Sequence, residues 1–400
     1  MKTKQYDVII LGAGGAGLMC ASVAGQRGRK VLLIDHADEP GKKILISGGG
    51  RCNFTNIYAS AEQFISANPH FAKSALGRYS PQDFIDLVER YGIAYHEKTL
   101  GQLFCDGSAK QIVDMLLAEC DEGDVELALG AAPDDISQAD GHYTVTYGAQ
   151  SARASSLVIA TGGPSIPKMG ATGFAYDLAR QFGLKIVEPR PALVPFTLGG
   201  DDVLFRELSG VSADVVARCG DMQFREGALF THKGLSGPSI LQISSYWRHG
   251  EPVGIDFLPD REPGWLRAEK RARHRSTIKN ILSDPLPGRL ATALAGQLDD
   301  QLDDQPEGPK MLADIKDTVL DAIEARLANW QFIPNGTEGY AKAEVTIGGI
   351  STDGLSQKTM EARKVPGLYA IGEAIDVTGW LGGYNFQWAW ASGVAAGQAV

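Results

Sequence analysis

Residues 6–35 constrain this chain more than any other segment. Val8, Ile9, Ile10 and Leu11 are continuously apolar, as in a strand buried on both faces. Gly12, Ala13, Gly14, Gly15, Ala16 and Gly17 follow as a full G-x-G-x-x-G, and residues 18–26 open a helix of small side chains. Residues 30–35 form a second buried strand, so the segment is a complete β-α-β unit with parallel strands and a right-handed crossover. Gly12 permits the tight turn, Gly14 removes a Cβ that would block a pyrophosphate, and Gly17 lets the helix approach the strand. The free N–H groups and dipole of the helix N-terminus favour the phosphates. Asp35, with His36 after it, ends the second strand 18 residues beyond Gly17, where a carboxylate can accept from ribose hydroxyls. It also disfavours a 2′-phosphate. The turn by itself predicts a home for an ADP group.

The 400 residues imply two or three domains, and 44% hydrophobic with 22% charged residues is the balance of a soluble globular protein. A formal net charge of −10 repels phosphate backbones and argues against nucleic acid as a partner. The seven histidines and five cysteines show no C-x-x-C or H-x-x-x-H, so no metal site is expected. Cys20, Cys52, Cys105, Cys120 and Cys219 are odd in number and scattered, which reads as reduced thiols in a cytoplasmic protein. The charged, then apolar start resembles a signal peptide, but Asp7 and the glycines break it. No run approaches the ~20 apolar residues of a membrane span.

Residues 40–56 read as a glycine-rich loop, 81–91 and 108–119 as helices, and 125–129, 143–147 and 157–160 as short strands. Pro189, Arg190 and Pro191 mark a crossing between domains. Short strands and turns fill 194–257; 262–330 reads as helical and charged, basic at 267–279 and acidic at 299–307. The basic stretch admits two readings, a grip on RNA or anionic membrane and the solvated face of a helix; the second is the simpler. Strands return at 342–347 and 367–371, and a last helix begins near Asn385.

Three further glycine-rich elements, at 41–53, 160–163 and 372–385, separate the candidate cofactors. NAD needs no such distant C-terminal element; FAD does, because its ribityl chain and isoalloxazine reach well beyond the first turn. The run Gly41-Lys42-Lys43-Ile44-Leu45-Ile46-Ser47-Gly48-Gly49-Gly50-Arg51-Cys52-Asn53 resembles the signature of the BaiN/YhiN-like flavoproteins, which include aminoacetone-oxidase-like enzymes. Further matches stand at 229–238, 345–349, Gly372-Glu373 and Gly382-Gly383-Tyr384-Asn385. The resemblance implies an α/β, Rossmann-like FAD-binding domain built from both chain ends (1–192 and 346–400). A β-barrel-like domain (193–260 and 335–345) and a small helical insert (261–334) would interrupt it. It also implies that Ser47, Gly48, Gly49, Gly50, Arg51, Cys52 and Asn53 lie along the flavin. Asp376 would bind the ribityl or pyrophosphate region, and Gly382 to Asn385 would start a helix near the pyrimidine edge, where the dipole stabilises reduced flavin.

Thr161 and Gly162 join the expected cofactor set, as do Gly372 and Glu373. Arg51, Lys42 and Lys43 pair either with pyrophosphate or with surface carboxylates. Candidates for chemistry are few. Cys52, after Arg51, is either a reactive thiol or a small packing residue. His232 is a proton donor or a structural histidine, and Tyr384 covers the flavin or packs. Trp380, Trp388 and Trp390 read as core. No second G-x-G-x-x-G after a strand occurs between Gly173 and Gly339, so a nicotinamide that reduces the flavin must dock transiently.

The leading expectation is a cytoplasmic FAD-dependent oxidoreductase moving a hydride to or from a small organic substrate, with NAD(P)H or oxygen as second partner. Two alternatives stand beside it: a flavin-containing RNA- or protein-binding module using the charged insert, and an NAD-dependent dehydrogenase without flavin.

Overall fold

The computed structural model describes residues 3–299 and 310–400, so the acidic stretch read at 299–307 lies almost wholly outside the described residues. The chain divides into two compact units, Met1–Pro191 with Glu344–Val400, and Ala192–Ala343.

The first unit is built on a parallel sheet of β1 (Val8–Leu11), β2 (Val31–Ile34), β3 (Glu126–Ala128), β4 (Ser156–Ile159) and β5 (Leu368–Ala370). Their order is β5-β4-β1-β2-β3. Val8 pairs with Val31 and Ile9 with Leu32, while Ser156 pairs with Val8 on the other side. The four residues of β1 and of β2 are all buried, which explains their unbroken apolar runs. α1 (Gly15–Gln26) packs between α2 (Lys110–Glu122) and α3 (Tyr384–Gly397). Close approach of α3 requires missing side chains: a Cβ on Gly393 would lie 2.7 Å from Ala16 O, and one on Gly397 2.8 Å from Cys20 O.

The segment read as a loop at 40–56 is more regular than expected. It holds a short helix Lys42–Ile46, a tight turn Ser47–Gly50 and a strand Asn53–Asn56, which pairs with Gln102–Cys105. Gly48, Gly49 and Gly50 all have positive φ, and the glycines that suggested a loop are what allow this sharp reversal.

The second unit holds a seven-stranded antiparallel sheet. Its order is Trp330–Phe332, Val253–Asp256, Ser212–Cys219, Met222–Phe230, Gly234–Ser236, Phe196–Thr197 and Gly336–Thr337. The barrel-like closure expected from the resemblance is not among the described pairings: the sheet order is open, and its two end strands have only three and two residues. Phe205, Phe257, Trp330 and Phe332 fill its core edge to face, with Phe205 and Phe332 centroids 5.0 Å apart. Helices Trp265–Ala272, Ile278–Leu282, Gly288–Asp299 and Asp317–Ala328 belong to the same unit.

Candidate functional site

Four glycine-rich segments, far apart in sequence, meet at the C-terminal edge of the parallel sheet. Gly12, at φ 107°, is pressed against the end of β4, where a Cβ would lie 2.5 Å from Ala160 O. Ala13 O accepts from Gly41 N at 2.8 Å, which brings in the second segment. Gly372 faces α1, its absent Cβ 2.8 Å from Ala16 Cβ. Gly383 nests on the strand Asn53–Asn56, where a Cβ would lie 2.4 Å from Thr55 O. Gly383 N lies 3.2 Å from the Asn53 side-chain amide.

Within the first turn the glycines divide by role. A Cβ on Gly17 would lie 1.8 Å from Gly12 O, and one on Gly15 would meet the Trp390 ring at 2.8 Å. Gly14 has no atom within 4 Å of its Cβ position. It faces space at the helix N-terminus, where unpaired N–H groups await an anion. Gly49 and Gly162 have the same open surroundings. Asp35 does a job the spacing did not show: Oδ2 accepts from Ala13 N at 2.6 Å and Oδ1 from Ala37 N at 2.8 Å. The acid braces the turn and keeps further lone pairs for a hydroxyl. His36, exposed, stands 3.3 Å from Asp35 Oδ1.

Lys42 pairs with Asp38 at 2.9 Å. Lys43 donates to Glu373 Oε2 at 2.5 Å and to Ser165 Oγ at 2.6 Å; Ser165 donates on to Glu373 Oε1 at 2.8 Å. Thr346 N also donates to Glu373 Oε1, at 2.9 Å. Glu373 thus ties four segments together. Ser165 is a member that sequence reading missed, and Thr346, within the 345–349 match, was not singled out there; the pairing of Lys43 with Glu373 spans 330 residues.

Asp376 is 3% exposed, and Oδ2 accepts from Ala67 N at 2.8 Å. Burial pushes its carboxyl above the usual range. Asn385 points back, accepting from Gly379 N at 2.8 Å and donating to Gly379 O at 2.9 Å. Tyr384 is buried beside Phe64 and Trp380, with centroids 6.3 and 6.2 Å away. Trp388 and Trp390 are core: their indole N–H groups donate to Gly372 O at 3.0 Å and Phe54 O at 2.8 Å, and Trp390 stacks on Phe84 at 4.5 Å.

Cys52 has φ 50° and is fully buried beside Cys105. Burial pushes its thiol well up, and that of Cys105 to about 11. A thiol so buried is held neutral, which favours packing over reactivity for Cys52. His232 lies in an exposed turn of the second unit.

The residues present fit a long dinucleotide. Besides the open space at Gly14, the buried Thr161 Oγ1 has no hydrogen-bond partner, an orphan that a ligand would satisfy. The fold and site thus define a Rossmann-type protein whose dinucleotide site draws on both ends of the chain. The chain belongs to the family described as HI0933-like protein Rossmann domain, whose model matches residues 6–399. This is a family of FAD-dependent oxidoreductases, so the chain is a flavin enzyme, and a flavin-free dehydrogenase is set aside.

It is 50% identical over 408 residues to a ribosomal RNA dihydrouridine synthase of Escherichia coli strain K12, covering 99% of this chain and 98% of that one. A protein of the same description from Haemophilus influenzae is 44% identical, with 99% of each chain covered. Among solved structures, a 3-ketosteroid delta1-dehydrogenase from Sterolibacterium denitrificans superposes with a TM-score of 0.54 over 99% of each chain at 13% identity, which shows the shared fold.

The relatives overturn the expectation that nucleic acid is an unlikely partner, since their own names place RNA at the centre of their activity. Net charge was the wrong measure because it averages the whole surface, whereas an RNA contact needs only a local set of cations. Much of the basic stretch is spoken for: Arg267 pairs with Asp321, Lys270 with Asp317, and Arg273 with Glu269 and Asp284. No helix among the described residues is long and apolar enough to cross a membrane.

Proposed function

We propose that this chain reduces uridine in ribosomal RNA to dihydrouridine, with FAD held by the first unit. The observation that carries this reading is the 50% identity to the Escherichia coli synthase along the full length of both chains. The site supports it: the four converging glycine segments make a cradle longer than an ADP group needs.

In this reading the pyrophosphate sits at Gly12 to Gly17, with Asp35 toward the ribose. Ser47 to Asn53 and Gly382 to Asn385 border the flavin, and Asp376 stands beside the ribityl chain. Lys43, Ser165 and Glu373 hold the intervening segments in place, and Thr161 Oγ1 is free to meet the cofactor. Bound flavin, reduced by a nicotinamide, would supply the hydride that, with one proton from solvent, saturates the C5=C6 bond of uracil. The N-terminus of α3, which follows Gly383, directs partial positive charge toward that end of the site. A base stacked within a helix cannot reach such a site, so the substrate uridine is unpaired or flipped out.

Anaerobic mixing of the flavin-loaded protein with NADH or NADPH should bleach the flavin absorbance. Adding ribosomal RNA from cells lacking dihydrouridine should restore it while dihydrouridine accumulates. Failure of both nicotinamides to bleach the flavin, or RNA left unreduced, would contradict the reading.

A further inference from the structure

Beside the glycine turn that precedes α3 lies an apolar patch turned to solvent. Tyr58 is 62% exposed, Leu100 57% and Ile57 38%. They sit on two adjoining turns: Ile57 N donates to Gly101 O at 3.0 Å, and a Cβ on Gly101 would touch Tyr58 Cδ2 at 2.6 Å and Ile57 Cγ1 at 2.9 Å. Leu100 is held at φ 50°, a conformation that leucine rarely adopts and that gains it no burial.

One buried side chain fixes this patch to the site. Asn56, 1% exposed, donates through Nδ2 to Leu100 O at 3.0 Å and to Gly382 O at 2.9 Å, and its Oδ1 accepts from Tyr58 N at 2.9 Å. Tyr58, Leu100 and Gly382 therefore form one rigid rim. One exposed cation, Lys98, belongs to the same hairpin and stands over the Phe104 ring at 5.4 Å. It makes no ion pair with a carboxylate among the described residues. The neighbouring acids are engaged, Glu97 by Gly101 N and Asp106 by His96.

An exposed aromatic ring with aliphatic neighbours and an unpaired cation is the chemistry of a single-stranded RNA site: bases stack on the ring, and a phosphate meets the cation. We propose that Tyr58, Leu100 and Ile57 form a stacking platform for an unpaired base of the substrate RNA next to the target uridine, with Lys98 meeting an adjacent phosphate. The inference rests on the rRNA-reductase reading above and adds where the RNA docks.

The test uses the full-length, flavin-loaded protein and ribosomal RNA from cells lacking dihydrouridine, with flavin content and Tm as folding controls. Tyr58→Ala should weaken RNA binding by about tenfold and raise KM for RNA, whereas Tyr58→Phe should keep the affinity because it keeps the ring. Lys98→Gln should reduce the slope of log affinity against log salt by about one unit. Wild-type affinity in a folded Tyr58→Ala protein, or an unchanged slope in Lys98→Gln, overturns the platform even if the wild type reduces rRNA. A Tyr58→Ala change in oligomeric state without loss of RNA affinity marks a self-association face and also overturns it. A wild-type protein that neither binds nor reduces rRNA removes the functional reading itself.

Discussion

Gly17 and Gly12 approach so closely that a Cβ on Gly17 would lie 1.8 Å from the Gly12 carbonyl oxygen, whereas Gly14, between them, faces empty space. One motif therefore carries two separable demands, one from packing and one from the ligand. Gly17→Ala should destabilise the protein by about 3 kcal/mol or more, since backbone must move to admit the methyl. Gly14→Val should fold with stability within about 1 kcal/mol of the flavin-free wild type yet retain no flavin. Thermal unfolding of flavin-free samples and the flavin-to-protein ratio check both.

Lys43 and Glu373 join the glycine-rich segment 41–53 to the segment after β5. Lys43→Met should leave Glu373 with its Ser165 and Thr346 donors but without its cation. The expected outcome is flavin affinity lower by about tenfold, the scale of one charge-assisted hydrogen bond. Titration of the flavin-free variant with FAD measures it; unchanged affinity would show the pair to be a surface ornament.

Asp376 gives a stability test with a definite sign. Burial raises its folded pKa, so its contribution is most favourable below the ordinary aspartate value and is lost as pH rises through the raised one. Asp376→Asn keeps an acceptor for Ala67 N and removes the buried charge. Flavin-free Asp376→Asn should melt above wild type at pH 7, and the gap should close as pH falls below about 4. A variant that melts lower at neutral pH would contradict this.

Glu119 behaves in the opposite sense. Burial works to raise its pKa, but hydrogen bonds from Tyr91 and Gln26 and the Arg90 charge outweigh it, leaving the carboxyl below the usual range. Its contribution is present above the ordinary glutamate value of about 4.3 and is lost as pH falls through the lowered one. Glu119→Ala should cost about 2 kcal/mol at pH 7, with the difference from wild type shrinking in acid. Urea unfolding across that range checks it.

The sequence disclosed what is local. The first β-α-β unit could be read because strand, turn and helix follow one another within a span whose packing is set by neighbours in the chain. Asp35 was placed correctly at the end of β2, but its grip on Ala13 N is a matter of side-chain direction that spacing does not contain. The Glu373 network joins segments as far as 330 residues apart; Ser165 belongs to no pattern, and the 345–349 match that contains Thr346 does not show what its backbone N–H meets. The open antiparallel sheet differs from the expected barrel because closure depends on its short end strands, which carry little periodicity. RNA was disfavoured on net charge, while the exposure of Tyr58 and Leu100, on which the proposed platform rests, is not visible in the sequence.

The most direct measurement is the dihydrouridine content of ribosomal RNA in Escherichia coli lacking its own synthase, with and without this chain. Mass spectrometry of the digested RNA should show dihydrouridine restored by the wild-type chain and absent with Gly14→Val expressed at the same level. A flavin-loaded wild-type protein that leaves the RNA without dihydrouridine would contradict the account.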